Sequence, residues 1–291
     1  MSETRDLHAA FGHLSDAEWR AVLLASVERG EIDGVRMPGF PVEAEQRLFT
    51  SHAGAAALEE ALAFFGLVKE ACRRFAAPLG PATRLLDFGV GWGRIVRTFM
   101  KDVPAKNIVG VDVNEHILSV CRSLVGYGTY HVCRYGEPLP LPERAFDVAT
   151  AFSVFSHLSP SAQTTWLAEL HRVLRPGALL VVTTLSRRFV AHCRDAVANA
   201  GRSSFDAALA RGVQAAYPDW ETRLTNWDPA EMLYLPTGGG LQGLDAEHYG
   251  WAMVPVDYAR RRWAELFEVV DHVDDQSRLE QAVLVLRPVT K

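Results

Sequence analysis

Four cysteines, Cys72, Cys121, Cys133 and Cys193, are scattered along 291 residues with no CxxC spacing. That excludes a zinc knuckle and points to ordinary reduced thiols. No apolar run of about 18 residues is free of charge, so no membrane-spanning helix is expected. The opening MSETRDLHAA has no basic stretch followed by an apolar core, which argues against a secretory leader and makes the cytoplasm the expected location. Positive charge is also short: 30 Lys and Arg stand against 35 Asp and Glu, a net charge of -5. A protein that grips nucleic acid in bulk needs a basic footprint for the phosphates, and this balance speaks against one. The densest basic cluster, Arg260, Arg261 and Arg262, lies among Tyr258, Trp263 and Phe267 and reads as the solvated face of an amphipathic helix. His8, His13, His116, His131, His171, His192 and His272 have no ligand-like grouping with acids, so no metal is expected. Internal repeats and low-complexity tracts are absent as well.

What is present is a change of rhythm. Residues 7–30 read as one or two helices, followed by a looser glycine- and proline-punctuated piece. A long helix is expected over about 55–76, with Leu58, Leu62, Phe65, Cys72 and Phe75 on one face. From residue 84 short apolar strands alternate with helices. RLLDFG is followed by GRIVRTFMKDV, NIVGVDV by NEHILSVCRSLV, then come TYHVCRY and FDVATAFS, a helix at about 162–174, and ALLVVTTL. This alternation means βαβ units and a mostly parallel sheet, with strands covered on both faces. Residues 186–262 break the pattern with a helix at about 186–200, the aromatic stretches AAYPDW, LTNWDP and EMLYLP, and TGGGLQGLDAEHYGWAM. A helix at about 256–265 then leads into LFEVVDHV and QAVLVLRPV, an expected antiparallel pair at the sheet edge. The expected organisation is an N-terminal helical extension or cap over 1–80 and a sheet domain over 81–291, with 186–262 as a substrate-side insertion.

The stretch LLDFGVGWGRIV places Gly89, Gly91 and Gly93 at alternate positions just behind Asp87. Glycine is required where φ is positive or where a Cβ would collide with a neighbour. Here it falls where a strand turns into an expected helix, at the mouth of the sheet. An acid closes the next strand, Asp112 in VGVDV, placed to accept hydrogen bonds from the two hydroxyls of an adenosine ribose. The plainer reading of Asp112 is a surface aspartate capping the following helix. A dinucleotide fold shares these features, but its fingerprint G-x-G-x-x-G needs glycine where Arg94 stands, and Asp87 interrupts the usual apolar run. A P-loop is excluded because no GK[ST] follows.

Asp87-Phe-Gly89-Val-Gly91-Trp-Gly93 resembles the first motif of the class I S-adenosylmethionine-dependent methyltransferases. GEPLPLPERAFDVATAFSVFSHLSP resembles the family's stretch from the adenine-side loop through strand four. WLAELHRVLRPGALLVVTT resembles its following helix, turn and fifth strand, with Ala178 where a second glycine is usual. The resemblance runs over about 84–185 and returns weakly in the last 30 residues. It implies a Rossmann-like, seven-stranded, mostly parallel sheet in the order 3-2-1-4-5-7-6 with one antiparallel strand in the edge region. It also implies S-adenosyl-L-methionine as cofactor and S-adenosyl-L-homocysteine as product. Asp87 would lie near the methionine end, Asp112 at the ribose, Val113 at the adenine or ribose, and Gly136 and Glu137 in the loop at the adenine edge. Phe152 and Ser153 would lie beside the methionine part and the sulfonium, with core packing as the other reading of Phe152.

The methyl acceptor is less legible. His157, in the loop SVFSHLSP after strand four, is the first candidate for a proton acceptor, with helix capping as its plainer role. Two other regions are candidates to close a pocket: RLFTSHAG with Phe49 and His52, and the glycine-rich piece with Tyr234, His248, Tyr249 and Trp251. The aromatic content of 217–251 favours an apolar or aromatic acceptor, although the rings would equally form a small satellite core. Where the amino-methylating nucleic-acid enzymes carry NPPY or DPPY, this chain reads AFSV. The expected reaction is methyl transfer to oxygen or nitrogen of a small molecule or modified peptide, with no nucleic-acid or membrane partner. Carbon remains open as acceptor, as do a monomeric or homodimeric state, a cyclase-like enzyme that uses the cofactor without methyl transfer, and an inactive homologue serving as scaffold.

Overall fold

The computed structural model describes residues 6–199, 202–228, 230–237 and 245–290. Its main sheet has seven strands: β1 (Leu85–Phe88), β2 (Ile108–Asp112), β3 (Thr129–Val132), β4 (Phe146–Ala151), β5 (Leu174–Thr184), β6 (Phe267–Val273) and β7 (Ala282–Pro288). Their order is β6-β7-β5-β4-β1-β2-β3, the expected 3-2-1-4-5-7-6 read from the other edge. β1 is the middle of the parallel part. It pairs with β2 in the register Leu85↔Ile108 and with β4 in the register Leu85↔Val148, and β2 pairs in parallel with β3. Every side chain of β1 is buried, as a strand covered on both faces requires. β6 and β7 run antiparallel, with a register shift between Val269 and Asp271.

The chain divides into two compact units, Met1–Phe152 with Arg172–Val181, and Ser153–His171 with Val182–Lys291. In the first, α1 (Leu7–Phe11) and α2 (Asp16–Ala25) are the two expected N-terminal helices, α2 opening with a Ser15–Glu18 capping box. Between them and α4 (Gly54–Phe75) lies α3 (Glu43–Thr50), a helix the punctuation of this stretch did not announce. Leu58, Leu62, Phe65 and Cys72 of α4 are buried as expected, while Phe75 is only partly so. Two contacts fasten α2. Trp19, fully buried, donates its indole N–H to the Thr98 carbonyl at 2.8 Å. Asp16 receives Lys69 at 2.6 Å and Lys101 at 2.9 Å, and both lysines also reach Asp102.

One expected element is replaced. GRIVRTFMKDV does not form an α-helix; it runs as turns into a short 3-10 helix, Val96–Phe99. The reason lies in its side chains. Arg97 turns inward and its Nε donates to the Gly93 carbonyl, and the Thr98 hydroxyl donates to the Ile95 carbonyl. Carbonyls that would otherwise accept only backbone bonds are thus shared with side chains, and the backbone closes a mixture of i−3 and i−4 bonds. α5 (Glu115–Leu124) forms as expected, and Asn114 caps it by accepting from the Ile117 N–H at 3.0 Å. α6 (Pro160–Val173) ends one residue before β5 begins at Leu174, so the Arg175-Pro176-Gly177 turn belongs to the strand instead of preceding it.

In the second unit α7 (Phe189–Ala198), α8 (Ser204–Ala216) and α9 (Trp220–Thr225) surround a hairpin that pairs Leu233–Leu235 with Trp251–Met253. Phe189, Cys193, Leu209, Val213, Leu233, Leu235 and Met253 form its core, and Tyr217, Trp220, Trp227 and Trp251 pack at the margin. The satellite-core reading of these aromatics therefore holds for four of the six rings. The triple glycine, with the rest of 238–244, lies outside the described residues. α10 (Val256–Arg262) exposes its three arginines to solvent. Among the described residues no helix is long and apolar enough to cross a membrane, no His/Cys/Asp/Glu group is arranged to hold a metal, and all four cysteines are free and buried.

Replacing Asn114 by Ala removes the cap of α5 and should lower stability by about 1 kcal/mol in urea unfolding. The same change at Asp112 should spare the cap, because the structure assigns that role to Asn114.

Candidate functional site

The glycine loop leaves β1 and crosses to the end of β2 immediately. The N–H groups of Gly89 and Val90 both donate to the Val111 carbonyl, at 2.8 and 3.0 Å. The N–H of Gly91 then donates to Oδ2 of Asp112 at 2.9 Å, while Oδ1 of Asp112 accepts from the Asn114 N–H at 2.9 Å. Asp112 thus spans two backbone donors and is not the cap of α5, which disposes of its plainer reading. Burial raises its pKa, against the opposing effect of the backbone donors at Asn114, Gly91 and Val113.

The three glycines are alike in sequence and different in place. At Gly91 (φ 53°) no heavy atom lies within 4 Å of where a Cβ would stand. At Gly93 (φ 84°) a Cβ would stand 2.5 Å from Val125 Cγ2 and 3.1 Å from Cys121 Sγ. Gly91 therefore borders open space, and Gly93 lets the loop pack against α5 and the residue beyond it.

Asp87 is buried to 1% exposure on β1. Its Oδ1 accepts from the Thr150 hydroxyl on β4 at 2.8 Å, and its Oδ2 has no hydrogen-bond partner. Burial pushes its pKa up to about 7, with Asp112 adding to the rise and Thr150, Arg94 and the Val96 N–H opposing it. Arg94, where a dinucleotide fingerprint would have glycine, is itself buried. It pairs with Glu60 at 2.5 Å, donates to the Ala57 carbonyl at 3.2 Å, and lays its guanidinium 4.7 Å from the centre of the Phe152 ring. Phe152 also meets Phe64 edge-on at 5.0 Å, so core packing accounts for it.

The softer positions of this unit divide. Val113 is 39% exposed at the end of β2, a large apolar side chain left open beside Asp112. Gly136 and Glu137 lie exposed in a turn closed by the Glu137 N–H on the Arg134 carbonyl. Their neighbour Tyr135 is also exposed and was passed over in the sequence, where a lone tyrosine in a loop carries no pattern. Phe49 is half-buried at the end of α3, and His52 is exposed in the turn before α4.

In the second unit the loop after β4 is tied to the hairpin. The Nδ1 of His157 lies 2.9 Å from the Gly250 carbonyl, and the Gly250 N–H donates back to the His157 carbonyl at 2.9 Å. A carbonyl only accepts, so Nδ1 carries the proton and Nε2 keeps its lone pair. Burial lowers the His157 pKa, against the Gly250 bond, so the ring is neutral at pH 7. Tyr249 stacks on it in parallel at 4.9 Å, and Trp251 packs at the same distance at an angle. Tyr234 is engaged in the hairpin, its hydroxyl donating to the Ala246 carbonyl at 2.9 Å. His248 presents its carbonyl to the Ser159 N–H at 3.1 Å. The structure thus brings His157, Tyr249 and Trp251 together and leaves Tyr234 and His248 in supporting positions. Ser153 takes a positive φ of 56° and donates its N–H to the Thr183 hydroxyl at 2.7 Å.

Two outcomes follow from this geometry. Gly93→Ala should cost about 1–3 kcal/mol in thermal or urea unfolding, because the loop has to move away from Val125. Gly91→Ala meets only the cost of its backbone conformation and should lose less than about 1.5 kcal/mol. For Asp87 the folded pKa is raised, so its contribution to stability is full below about pH 4 and is lost as pH climbs toward 7. Asp87→Asn removes that loss. The variant should gain on the wild type between pH 4 and 7, by on the order of 2–4 kcal/mol at full extent. A constant difference across that range in urea unfolding would contradict the assignment.

Residues 85–177 match the family model of a methyltransferase domain. A Mycolicibacterium smegmatis protein bearing the name of an S-adenosylmethionine-dependent methyltransferase is 30% identical over 148 residues, 50% of this chain and 53% of that protein. A malonyl-[acyl-carrier protein] O-methyltransferase of Marinomonas is 31% identical over 38% of this chain and 41% of its own. A ubiquinone/menaquinone biosynthesis C-methyltransferase of Burkholderia mallei is 30% identical over 38% and 46%. The chain thus spans about half the length of the curated relatives it matches. Among solved structures, an S-adenosylmethionine-dependent methyltransferase from Mesorhizobium loti is similar at 14% identity, over 75% of this chain and 96% of that one, with a TM-score of 0.46. The matched segment runs from β1 to the start of β5, and with the strand order described above the chain has the class I, Rossmann-like fold of the S-adenosylmethionine-dependent methyltransferase superfamily, residues 85–177 being the part similar to a methyltransferase domain.

Proposed function

We propose that the protein transfers a methyl group from S-adenosylmethionine to oxygen or nitrogen of a small molecule or a modified peptide. The observation that carries this reading is the pairing of Gly91 and Asp112. A loop residue bordered by open space is held by a carboxylate with further lone pairs to offer. The residues fit the cofactor. Asp112 would accept from the ribose hydroxyls and Val113 would cover an apolar face of the adenosine. Asp87, with an unpartnered buried oxygen, would face the cationic methionine end. Gly136 and Glu137 would border the adenine edge. Bound there, S-adenosylmethionine supplies an electrophilic methyl group on a sulfonium.

His157 is the proposed proton acceptor, its Nε2 lone pair set by the Nδ1 bond to Gly250. Tyr249 and Trp251, stacked about it, are the proposed substrate-binding rings, and their flat faces favour an aromatic acceptor. Ser153 is the proposed hydrogen-bonding residue after β4. The relatives support the transfer and leave the acceptor atom open, since one is named for O-methylation and another for C-methylation. The acidic balance and the AFSV sequence after Thr150 support an acceptor other than nucleic acid.

Asp112→Ala should weaken S-adenosylhomocysteine binding at least tenfold in calorimetry while the protein still melts cooperatively. Unchanged affinity would remove Asp112 from the site. His157→Asn keeps a donor for the Gly250 carbonyl and should lower kcat by about 10²-fold or more without changing cofactor affinity. In the wild type kcat/KM should rise with pH to a plateau, with its inflection below the ordinary histidine value of 6.5 because burial lowers this pKa. The variant's profile should be flat there. A full-rate Asn variant would return His157 to a purely structural role.

A further inference from the structure

Three side chains distant in sequence close a ring at the strand ends of the second unit. Ser153 stands just past β4, Thr183 is the next-to-last residue of β5, and Gln281 comes immediately before β7. The Ser153 N–H donates to Thr183 Oγ1 at 2.7 Å, and the Thr183 hydroxyl donates to Gln281 Oε1 at 2.6 Å. Gln281 Nε2 returns to Ser153 Oγ at 3.0 Å. Ser156, fully buried, adds its hydroxyl 3.3 Å from Ser153 Oγ. Ser153 is a non-glycine residue at φ 56°, a conformation that persists only where the surroundings over-determine it and that gathers at binding sites.

An inventory of donors shows what the ring leaves over. Thr183 is fully buried and both receives and gives a bond, so it is spent inside the ring. The amide oxygen of Gln281 is taken by Thr183, and one of its two N–H bonds is taken by Ser153. With Ser156 as donor to Ser153, the Ser153 hydroxyl proton and the second Gln281 N–H remain. Both belong to partly exposed residues. We propose that Ser153 and Gln281 together recognise a carbonyl or carboxylate oxygen of the methyl acceptor, with Gln281 determining specificity. Two neutral donors held side by side select an oxygen acceptor over a second donor, and the carboxylate forms the stronger bonds. In open α/β sheets ligands are met beyond the strand ends, which is where these residues stand. The stacked ring of His157 lies four positions further along the same loop, and an aromatic acid combines the two preferences. This proposal rests on the methyltransferase reading for the nature of its ligand, and on the ring alone for its geometry.

The test is a titration of the full chain, in the presence of S-adenosylhomocysteine, with benzoate, benzamide and toluene, following the side-chain amide signals of Gln281 by nuclear magnetic resonance. Benzoate should shift those signals and toluene should not. Gln281→Glu keeps an acceptor for the Thr183 hydroxyl and should melt near the wild type. It should weaken benzoate at least tenfold and reverse the preference in favour of benzamide, which a merely structural glutamine would not do. Ser153→Ala leaves the Thr183–Gln281 bond in place and should weaken benzoate several-fold. Equal binding of benzoate and toluene, or unchanged benzoate affinity in Gln281→Glu, would overturn the proposal. Calorimetry with S-adenosylhomocysteine separates the two readings. If the cofactor product fails to bind while benzoate is still discriminated, the methyltransferase reading falls and the oxygen site stands; if it binds and the discrimination is missing, the oxygen site falls.

Discussion

A single carboxylate holds the glycine loop to the sheet. Asp112 accepts from Gly91 on one oxygen and from Asn114 on the other, so the end of β2 sets both the path of the loop and the entry to α5. The bond to Gly91 keeps a positive-φ residue at the border of open space, with no heavy atom within 4 Å of where a Cβ would stand. Both oxygens retain further lone pairs, and a ligand with two vicinal hydroxyls can bind without breaking what is already made. Burial raises the pKa of Asp112, and the backbone donors at Asn114, Gly91 and Val113 oppose that rise. The cost of a half-buried carboxylate is thereby offset before any ligand arrives.

The ground behind the loop is unusually polar for a core. Arg97 is completely buried, with its guanidinium 4.3 Å from the Phe40 ring centre and 4.8 Å from that of Trp92. Its nitrogens donate to the Gly93 and Gly39 carbonyls. Burial brings its pKa down to about 9, which leaves it cationic at neutral pH. Arg94 and Lys101 are buried beside it in sequence, paired with Glu60 and with Asp16 and Asp102. Three cations within eight positions turn inward, and each needs partners from outside its own segment. The loop therefore cannot close as a regular helix with a polar outer face, and a 3-10 turn results.

Much of this was legible from the residues. Continuous apolar runs marked β1, β4 and β5, and the aspartate closing VGVDV stood out because nothing else interrupted its strand. The helix after the glycine loop was misread because Arg94, Arg97 and Lys101 fit the polar face of an amphipathic helix, and inward-facing arginine has no signature in spacing. The three glycines were indistinguishable until the structure set Val125 and Cys121 against Gly93 and open space beside Gly91. Gln281 carried no signal at all, since its partner Ser153 is 128 residues away and the link is one amide. Long-range polar contacts of this kind depend on register between strands, and a local pattern does not encode it.

The most direct test of the account is a crystal structure of the protein with S-adenosylhomocysteine bound. The account predicts the ribose hydroxyls on the Asp112 carboxylate, the Gly91–Asp112 bond intact, the adenosine against Val113, and Asp87 at the amino-acid end. A ligand bound away from Gly91 and Asp112, or a loop that abandons the bond between them to admit it, would contradict it.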